Sequence, residues 1–202
     1  DVYRPANDSL IAAGYHPRVV LIGNSITAGW VRAHPGFFTA NGFTGRGIGG
    51  QTTPQMLARF RQDVIALQPK AVIINAGTND IAENTGAYDP DFTFGNICSM
   101  AEIARANGIK VILSSVLPAA AFRWRPEIAD GPAKIDALNV RIKQLAKEKG
   151  YGYIDYNTVL RDENGGLPVA YAKDGVHPIP ECYTIMEGLA IEAIKKAIGT
   201  KK

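Results

Sequence analysis

Four short polar segments of the sequence contain residue types that could together catalyse acyl transfer. A serine hydroxyl is a poor nucleophile near neutral pH, and it needs a neighbouring base to take its proton as it attacks a carbonyl carbon. The tetrahedral intermediate then needs hydrogen-bond donors around its negatively charged oxygen. Residues of both kinds occur in Gly23-Asn24-Ser25, in the glycine-rich residues 47–53, in Gly77-Thr78-Asn79-Asp80 and in Asp174-Gly175-Val176-His177.

The base predicted for this chemistry is a histidine, because imidazole titrates near neutral pH. The chain contains His16, His34 and His177, and only His177 follows an acidic residue at a spacing that one turn can convert into a carboxylate–imidazole hydrogen bond. Asp174 would fix the ring tautomer, leave Nε2 facing Ser25 and stabilise the imidazolium that forms during the reaction. We therefore predict Ser25 as nucleophile, His177 as general base and Asp174 as the acid that orients it.

Three hydrogen-bond donors are predicted to surround the oxyanion. They are the backbone N–H of Ser25, the backbone N–H of Gly50 and the side-chain amide of Asn79. Gly50 lies in a loop whose glycines allow the backbone to approach a ligand closely. Donors that are fixed in advance usually make the largest electrostatic contribution to such a reaction. This chemistry requires no cofactor, and no metal site is predicted because the three histidines are not clustered in the sequence.

Each segment also has an interpretation that involves no catalysis. Asn24 or Ser25 could cap a helix after the first strand, and Asp80 could cap the helix that follows it. Residues 47–53 could cradle a phosphate, although they lack the lysine of a P-loop and the regular Gly-x-Gly-x-x-Gly spacing. Asp174 and His177 could form a solvated ion pair in a surface turn. Because the four segments all fall at predicted strand ends, where ligands meet a parallel sheet, catalysis is the favoured interpretation.

The ordered set of segments resembles the SGNH (GDSL-type) hydrolase family over about residues 19–178. The family supplies a nucleophilic Ser, an oxyanion Gly, an oxyanion Asn and a His preceded three residues earlier by Asp, and all four occur here in that order. Residues 47–53 and 77–85 look most like the platelet-activating-factor acetylhydrolase catalytic subunits and their bacterial acetylesterase-like relatives. The sequence departs from the family at Asn24, where an Asp is usual, and at Gln51, which replaces a common Asp.

The resemblance implies a serine esterase that hydrolyses carboxylic esters, with short acyl chains such as acetyl favoured and a carbohydrate as one candidate for the alcohol. Thioesterase and lysophospholipase activities would use the same residues. A non-catalytic carbohydrate- or lipid-binding domain on the same fold is an alternative from another class, and so is a nucleotide-binding protein of flavodoxin-like layout. If the resemblance extends to assembly, the chain would form a homodimer.

Buried strands that alternate with amphipathic helices would position these segments. A weak strand is expected before Gly47, and short aliphatic runs predict further strands at 18–22, 71–75, 110–114 and 152–155. Apolar residues at helical spacing predict helices at 54–67, 90–107, 132–149 and about 181–198. The alternation predicts an α/β fold, a three-layer α/β/α sandwich whose central parallel sheet has about five strands. The irregular stretches that could form a substrate rim are 27–44, 116–131 and 157–176.

The composition fits one globular domain, and the resemblance implies that residues 1–202 form a single SGNH hydrolase domain. Hydrophobic residues make up 46% of the chain and charged residues 20%, and there is no basic run apart from Lys201 and Lys202. Nucleic-acid binding is therefore not expected, and no apolar stretch is long enough to cross a membrane. Cys98 and Cys182 are expected to be core thiols. Because the sequence starts at Asp1 and not at Met, we expect a mature or trimmed chain; secretion or a periplasmic location is favoured over the cytoplasm.

Aromatic residues occur in two settings. Trp30, Phe37, Phe38 and Phe43 follow the predicted nucleophile and are expected to pack mainly in the core, with a pocket wall as the alternative. Trp124 stands between two arginines in a predicted loop, which is typical of a substrate rim, a partner contact or a solvated loop.

Overall fold

The structure is a computed structural model that describes residues 2–200, and its centre is a single parallel sheet. Its strands are β1 (Val19–Gly23), β2 (Phe43–Gly47), β3 (Ala71–Ile74), β4 (Lys110–Ser114) and β5 (Gly152–Ile154). Their order across the sheet is β2-β1-β3-β4-β5, and each neighbouring pair is parallel. The predicted five-stranded parallel sheet, including the weak strand before Gly47, is confirmed.

Both faces of the sheet are covered by helices. The helices are α1 (Arg4–Ala12), α2 (Ser25–Ala33), α3 (Pro35–Asn41), α4 (Thr53–Asp63), α5 (Thr78–Ile81), α6 (Pro90–Ala106), α7 (Gly131–Lys149), α8 (Tyr156–Leu160) and α9 (Pro180–Ile198). The apolar residues of α4, α6 and α7 belong to one core and those of α2, α3 and α9 to the other. This arrangement confirms the predicted three-layer α/β/α sandwich.

Successive residues of β1 are buried in different cores. Val20 and Ile22 pack in the core with α4, α6 and α7, while Val19 and Leu21 pack in the core with α2, α3 and α9. Side chains alternate across a strand, so a strand covered on both faces must be apolar at every position. Burial on both faces of the sheet therefore explains the continuous aliphatic run that predicted this strand.

Several predicted boundaries and loops were wrong. Residues 27–44 are not irregular: they contain most of α2, all of α3 and the start of β2. The side chain of Asn24 accepts a hydrogen bond from Ile26 N at the start of α2, and Pro35 begins α3. The first helix, α1, was not predicted. The helix predicted over 54–67 ends at Asp63 and is followed by a 3-10 turn at Ile65–Leu67. The first residues of the stretch 157–176 belong to α8, whose N-cap is Asp155.

The predicted core roles of the aromatic and thiol residues are largely confirmed. Trp30, Phe38 and Phe43 are buried in the core that contains α9, and Phe37 packs against it. Both cysteines are free thiols, Cys182 buried and Cys98 half-buried. Within residues 2–200, no helix combines the length and the apolar character needed to span a membrane.

Candidate active site

The candidate site lies at the carboxyl edge of the sheet, where the chain leaves β1, β2 and β3. In this strand order the connections from β1 to β2 and from β2 to β3 run in opposite directions across the sheet, and ligands typically bind in the crevice where the strand order reverses. Ser25 is the first residue of α2, directly after β1. Gly50 follows β2 and Asn79 lies in α5 after β3.

The structure brings Ser25, His177 and Asp174 into one hydrogen-bonded line. Ser25 Oγ lies 2.9 Å from His177 Nε2, although the two residues are 152 positions apart in the chain. On the other side of the ring, His177 Nδ1 lies 2.6 Å from Asp174 Oδ2. With the carboxylate ionised, Nδ1 carries the proton and donates it to Asp174, so that Nε2 can accept a hydrogen bond from the serine hydroxyl.

Asp174 uses both carboxylate oxygens. Its Oδ2 faces the imidazole, while its Oδ1 accepts hydrogen bonds from Val176 N at 3.0 Å and His177 N at 2.8 Å. Partial burial acts to raise the pKa of Asp174, but these hydrogen bonds outweigh it and the pKa lies below its ordinary value. The carboxyl group is therefore ionised at neutral pH, as an orienting partner of His177 must be.

Residues 48–51 follow β2 and contain the predicted oxyanion donor Gly50; this segment, the oxyanion segment, packs against Ser25. A Cβ placed on Gly49 would lie 3.9 Å from Ser25 Cβ, and Gly50 has a φ of +75°, a conformation that favours glycine. Asn79 Nδ2 donates a hydrogen bond to Gln51 O at 2.9 Å, which links α5 to this segment. The N–H of Ser25 belongs to the first turn of α2, whose amides have no acceptor within the helix. The predicted donors thus come from three adjacent segments.

Asn84 and Trp124 also belong to this site, and sequence reasoning missed their connection to it. Asn84 Nδ2 donates to Asn79 Oδ1 at 3.1 Å, and Trp124 Nε1 donates to Asn84 Oδ1 at 2.9 Å. The indole ring of Trp124 also lies beside the His177 ring, with 6.1 Å between centroids. Trp124 therefore lies at the rim of the site, which is one of the three settings predicted for it from the sequence. The position of Trp124 between arginines was the one available signal.

A second missed residue, Arg59 of α4, links the segments that follow β1 and β2. Its guanidinium donates to Gly23 O at 2.9 Å, Arg46 O at 3.0 Å and Gln51 Oε1 at 2.6 Å. It also forms an ion pair with Asp63 at 2.8 Å, and the two side chains are only 10% and 1% exposed. Gln51, where the family usually has Asp, thus uses its side-chain oxygen to bind this arginine.

Asp80 has a structural role, but not the predicted one. It lies inside α5, and its carboxylate accepts hydrogen bonds from Thr53 N at 3.0 Å and from Thr53 Oγ1 at 2.5 Å. It therefore holds the start of α4 and does not cap the helix that follows it. Burial raises the pKa of Asp80 above its ordinary value, although the hydrogen bonds from Thr53 and Thr93 act in the opposite direction.

The other two histidines are remote from the line of Ser25 and His177. His16 Nδ1 lies 3.2 Å from Leu67 O, and His34 Nδ1 lies 2.6 Å from Glu187 Oε1. In the described part of the chain, no three side chains of the types His, Cys, Asp and Glu form a group that could hold a metal ion.

Two surface pockets flank the candidate nucleophile and base. One, of about 370 Å³, is lined by Ser25 and His177 together with Gly29, Arg32, Ala33, Pro178 and Tyr183. The other, of about 640 Å³, lies on the side of the oxyanion segment, and its lining includes Gly50, Gln51, Asn84, Trp124 and Arg125. Polar groups and small residues predominate in both linings.

Comparison with known proteins identifies the family. The sequence profile of the GDSL-like lipase/acylhydrolase family matches residues 21–185, which include all the predicted site residues. The chain belongs to this family. Membership in the GDSL-like family supports ester hydrolysis as the general activity.

Solved structures of similar proteins have the same fold. A GDSL-like lipase from Bacteroides thetaiotaomicron is 56% identical to this chain, with a TM-score of 0.92 and 96% of each chain covered. An acetylxylan esterase from Geobacillus stearothermophilus is 22% identical, with a TM-score of 0.66, and the match covers 87% of this chain and 93% of the esterase. At that identity the likeness to the esterase is one of fold alone.

A relative among curated proteins is the uncharacterized lipoprotein YqeF of Bacillus subtilis. It is 39% identical over 139 residues, which are 65% of this chain and 54% of the lipoprotein. The chain thus matches about half the length of that relative.

Proposed function

We propose that this protein is a serine esterase that hydrolyses carboxylic esters through an acyl-enzyme. The observation that carries the proposal is the continuous line from Ser25 Oγ through the imidazole of His177 to Asp174, with separations of 2.9 and 2.6 Å. His177 takes the proton of Ser25 as the oxygen attacks the ester carbonyl, and gives it to the departing alcohol. Water, activated by the same base, then releases the acid.

The donors around Ser25 supply the second requirement of this reaction. The negative charge that develops on the carbonyl oxygen would be held by the N–H groups of Ser25 and Gly50 and by the side-chain amide of Asn79. Asn79 Nδ2 has two hydrogens, and only one is used in the bond to Gln51 O. The other is available to the oxyanion.

A short acyl group, such as acetyl, on a polar alcohol is the proposed substrate. The pocket beside Ser25 offers small residues, Gly29 and Ala33, together with the guanidinium of Arg32. The larger pocket beside Asn84 is lined mainly by polar side chains and backbone. A polar lining favours a hydroxyl-rich alcohol such as a carbohydrate, and the acetylxylan esterase that shares the fold acts on an ester of that kind. Likeness to a lipoprotein supports export as the protein's location.

The first test is the hydrolysis of p-nitrophenyl acetate, butyrate and octanoate by the wild type and by Ser25→Ala. Circular dichroism checks that the variant is folded. We expect activity that is highest on acetate and absent in the folded variant. A preference for octanoate would contradict the short-acyl substrate and favour a lysophospholipase-like enzyme.

A wild type that is inactive on all three esters leads to a second measurement. A fluorophosphonate probe labels an activated serine whatever the natural substrate is, so mass spectrometry should find the label on Ser25. If Ser25 stays unlabelled in the folded wild type, the esterase proposal is wrong and a binding function takes its place.

A further inference from the structure

The oxyanion amide stands at the end of a directed chain of side-chain hydrogen bonds. Trp124 Nε1 donates to Asn84 Oδ1 at 2.9 Å, and Asn84 Nδ2 donates to Asn79 Oδ1 at 3.1 Å. Asn79 Nδ2 in turn donates to Gln51 O at 2.9 Å. The chain thus runs from an exposed loop between β4 and α7 to the proposed oxyanion site.

The direction of this chain is fixed from both ends. The backbone carbonyls Gln51 O and Gly50 O can only accept, and Asn79 Nδ2 and Asn84 Nδ2 donate to them at 2.9 and 3.3 Å, while the indole ring holds the outer end. An asparagine side chain can be turned over with little change in shape, which exchanges its donor and its acceptor. An indole N–H can only donate, so Trp124 requires Asn84 to present its oxygen on that side and its NH₂ on the other. The NH₂ group of Asn84 in turn requires Asn79 to present its oxygen. The NH₂ group of Asn79 is then left facing Gln51 O and the oxyanion.

We propose that Asn84 and Trp124 are positioning residues that hold the Asn79 amide in the orientation that donates to the oxyanion. This inference rests on the proposed esterase function. An Asn79 side chain turned the other way would direct its oxygen at Gln51 O and at the developing negative charge, which would repel both. Neither Asn84 nor Trp124 needs to touch the reacting atoms for this role.

The loop that carries Trp124 also contacts the segment of the proposed base. The indole lies 6.1 Å from His177 between ring centroids, and Arg123 Nη2 donates to Lys173 O at 2.9 Å. Arg125 Nη2 donates to Glu83 O at 3.0 Å, next to Asn84. One loop therefore contacts both the segment with Glu83 and Asn84 and the segment with Lys173 and His177. Trp124 lies between these two segments.

Variants of Asn84 test the orientation directly. Asn84→Asp keeps the size and the acceptor for Trp124, but places a negatively charged oxygen against Asn79 Oδ1 and Gly50 O, the two acceptors of Asn84 Nδ2. The added charge itself also opposes the oxyanion, so the uncharged Asn84→Ala and Trp124→Phe variants isolate the effect of orientation. We expect its kcat to fall on the order of a hundredfold, as when an oxyanion donor is lost, with KM changed by less than about threefold. Asn84→Ala removes the constraint without reversing it, and its kcat should fall by about tenfold or less.

Variants of the loop separate the hydrogen bond from the contact with His177. Trp124→Phe keeps an aromatic ring beside His177 and loses only the N–H group, and we expect a fall in kcat of about five- to tenfold. In the Asn84→Ala background the same change should cost less than about twofold, because the residue through which it acts is gone. Arg123→Gln is the matched control: it loses a loop anchor but leaves the amide chain intact, so its kcat should stay within about twofold of wild type.

The outcomes decide the inference as follows. Folded Asn84→Asp protein with wild-type kcat overturns it, and so does a Trp124→Phe effect that is equally large in the Asn84→Ala background. Thermal unfolding of each variant shows whether a loss of kcat arises from destabilisation instead. Wild-type protein that neither turns over esters nor is labelled at Ser25 overturns the esterase proposal itself, and this inference with it.

Discussion

Removing the Arg59 side chain should destabilise the protein strongly, because three buried groups depend on it. Arg59→Ala leaves Gly23 O and Arg46 O without their donor, and it leaves Asp63 with only the hydrogen bond from Asn7. With Arg59 in place, the Asp63 side chain is only 1% exposed, so its carboxylate is shielded from bulk water. The variant therefore leaves a buried carboxylate without its hydrogen-bonded counter-ion, and only the electrostatic attraction of Arg46 remains.

The expected size follows from that geometry. Breaking a buried ion pair by removing one partner costs about 3–5 kcal/mol. For a chain of this length, 1 kcal/mol corresponds to about 2–4 °C in melting temperature, so we expect a fall of about 6–20 °C. Urea unfolding followed by circular dichroism gives the free energy of unfolding directly.

Arg61 provides the matched control for Arg59. It lies two residues further along α4, and its side chain is exposed. Arg61→Ala should change the free energy of unfolding by less than about 0.5 kcal/mol. If Arg59→Ala is destabilised by less than about 1 kcal/mol, the guanidinium does not stabilise this network, and the interpretation of the site's support is wrong.

Three further predictions concern the site. Asn79→Ala should lower kcat by about 10²–10³-fold in a folded protein, and steady-state kinetics with unchanged kcat would contradict its role in the oxyanion hole. Gly47→Ala should fail to fold normally, because its Cβ would lie 2.3 Å from a backbone nitrogen of α2, whereas Gly49→Ala has ordinary contacts and should fold; soluble yield and circular dichroism compare the two. The lowered pKa of Asp174 means that its carboxylate stabilises the fold at neutral pH and loses this effect as the pH falls below 3.8. Because the Asp174 side chain is 37% exposed, wild type should be more stable than Asp174→Asn by at most about 1 kcal/mol at pH 7. Urea unfolding at pH 7 and pH 3 should show that this difference becomes smaller at the lower pH; a larger difference at pH 3 would contradict the prediction.

The proximity of the candidate site residues could be predicted because their signals are local. Asp174 and His177 are three residues apart, and Ser25 and Asn79 directly follow strands whose continuous apolar runs are easy to read. The parallel sheet then brings the ends of β1 and β3 together whatever the loops do. The order of the four segments along the chain, and the position of three of them after strands, were enough to predict that the candidate residues lie close together.

The supporting residues could not be predicted in this way, because their partners are distant in sequence. Arg59 binds Gly23, 36 residues away, and Trp124 binds Asn84, 40 residues away. Neither spacing produces a periodic pattern. Helix α2 was missed for a related reason, since Trp30 is held in the helix by packing against α9, which no local propensity reveals.

The turn that carries Asp174 and His177 is a self-contained unit. Two backbone hydrogen bonds and the one from the imidazole all end on the Asp174 carboxylate. The contacts that close the turn therefore also orient the imidazole ring. The rest of the fold needs only to place this unit as a whole, at the distance and angle from Ser25 that a hydrogen bond requires. Relatives with different surrounding loops can therefore carry this turn unchanged, and a mutation far from the site would displace the acid and the base together, as one rigid piece, without separating them.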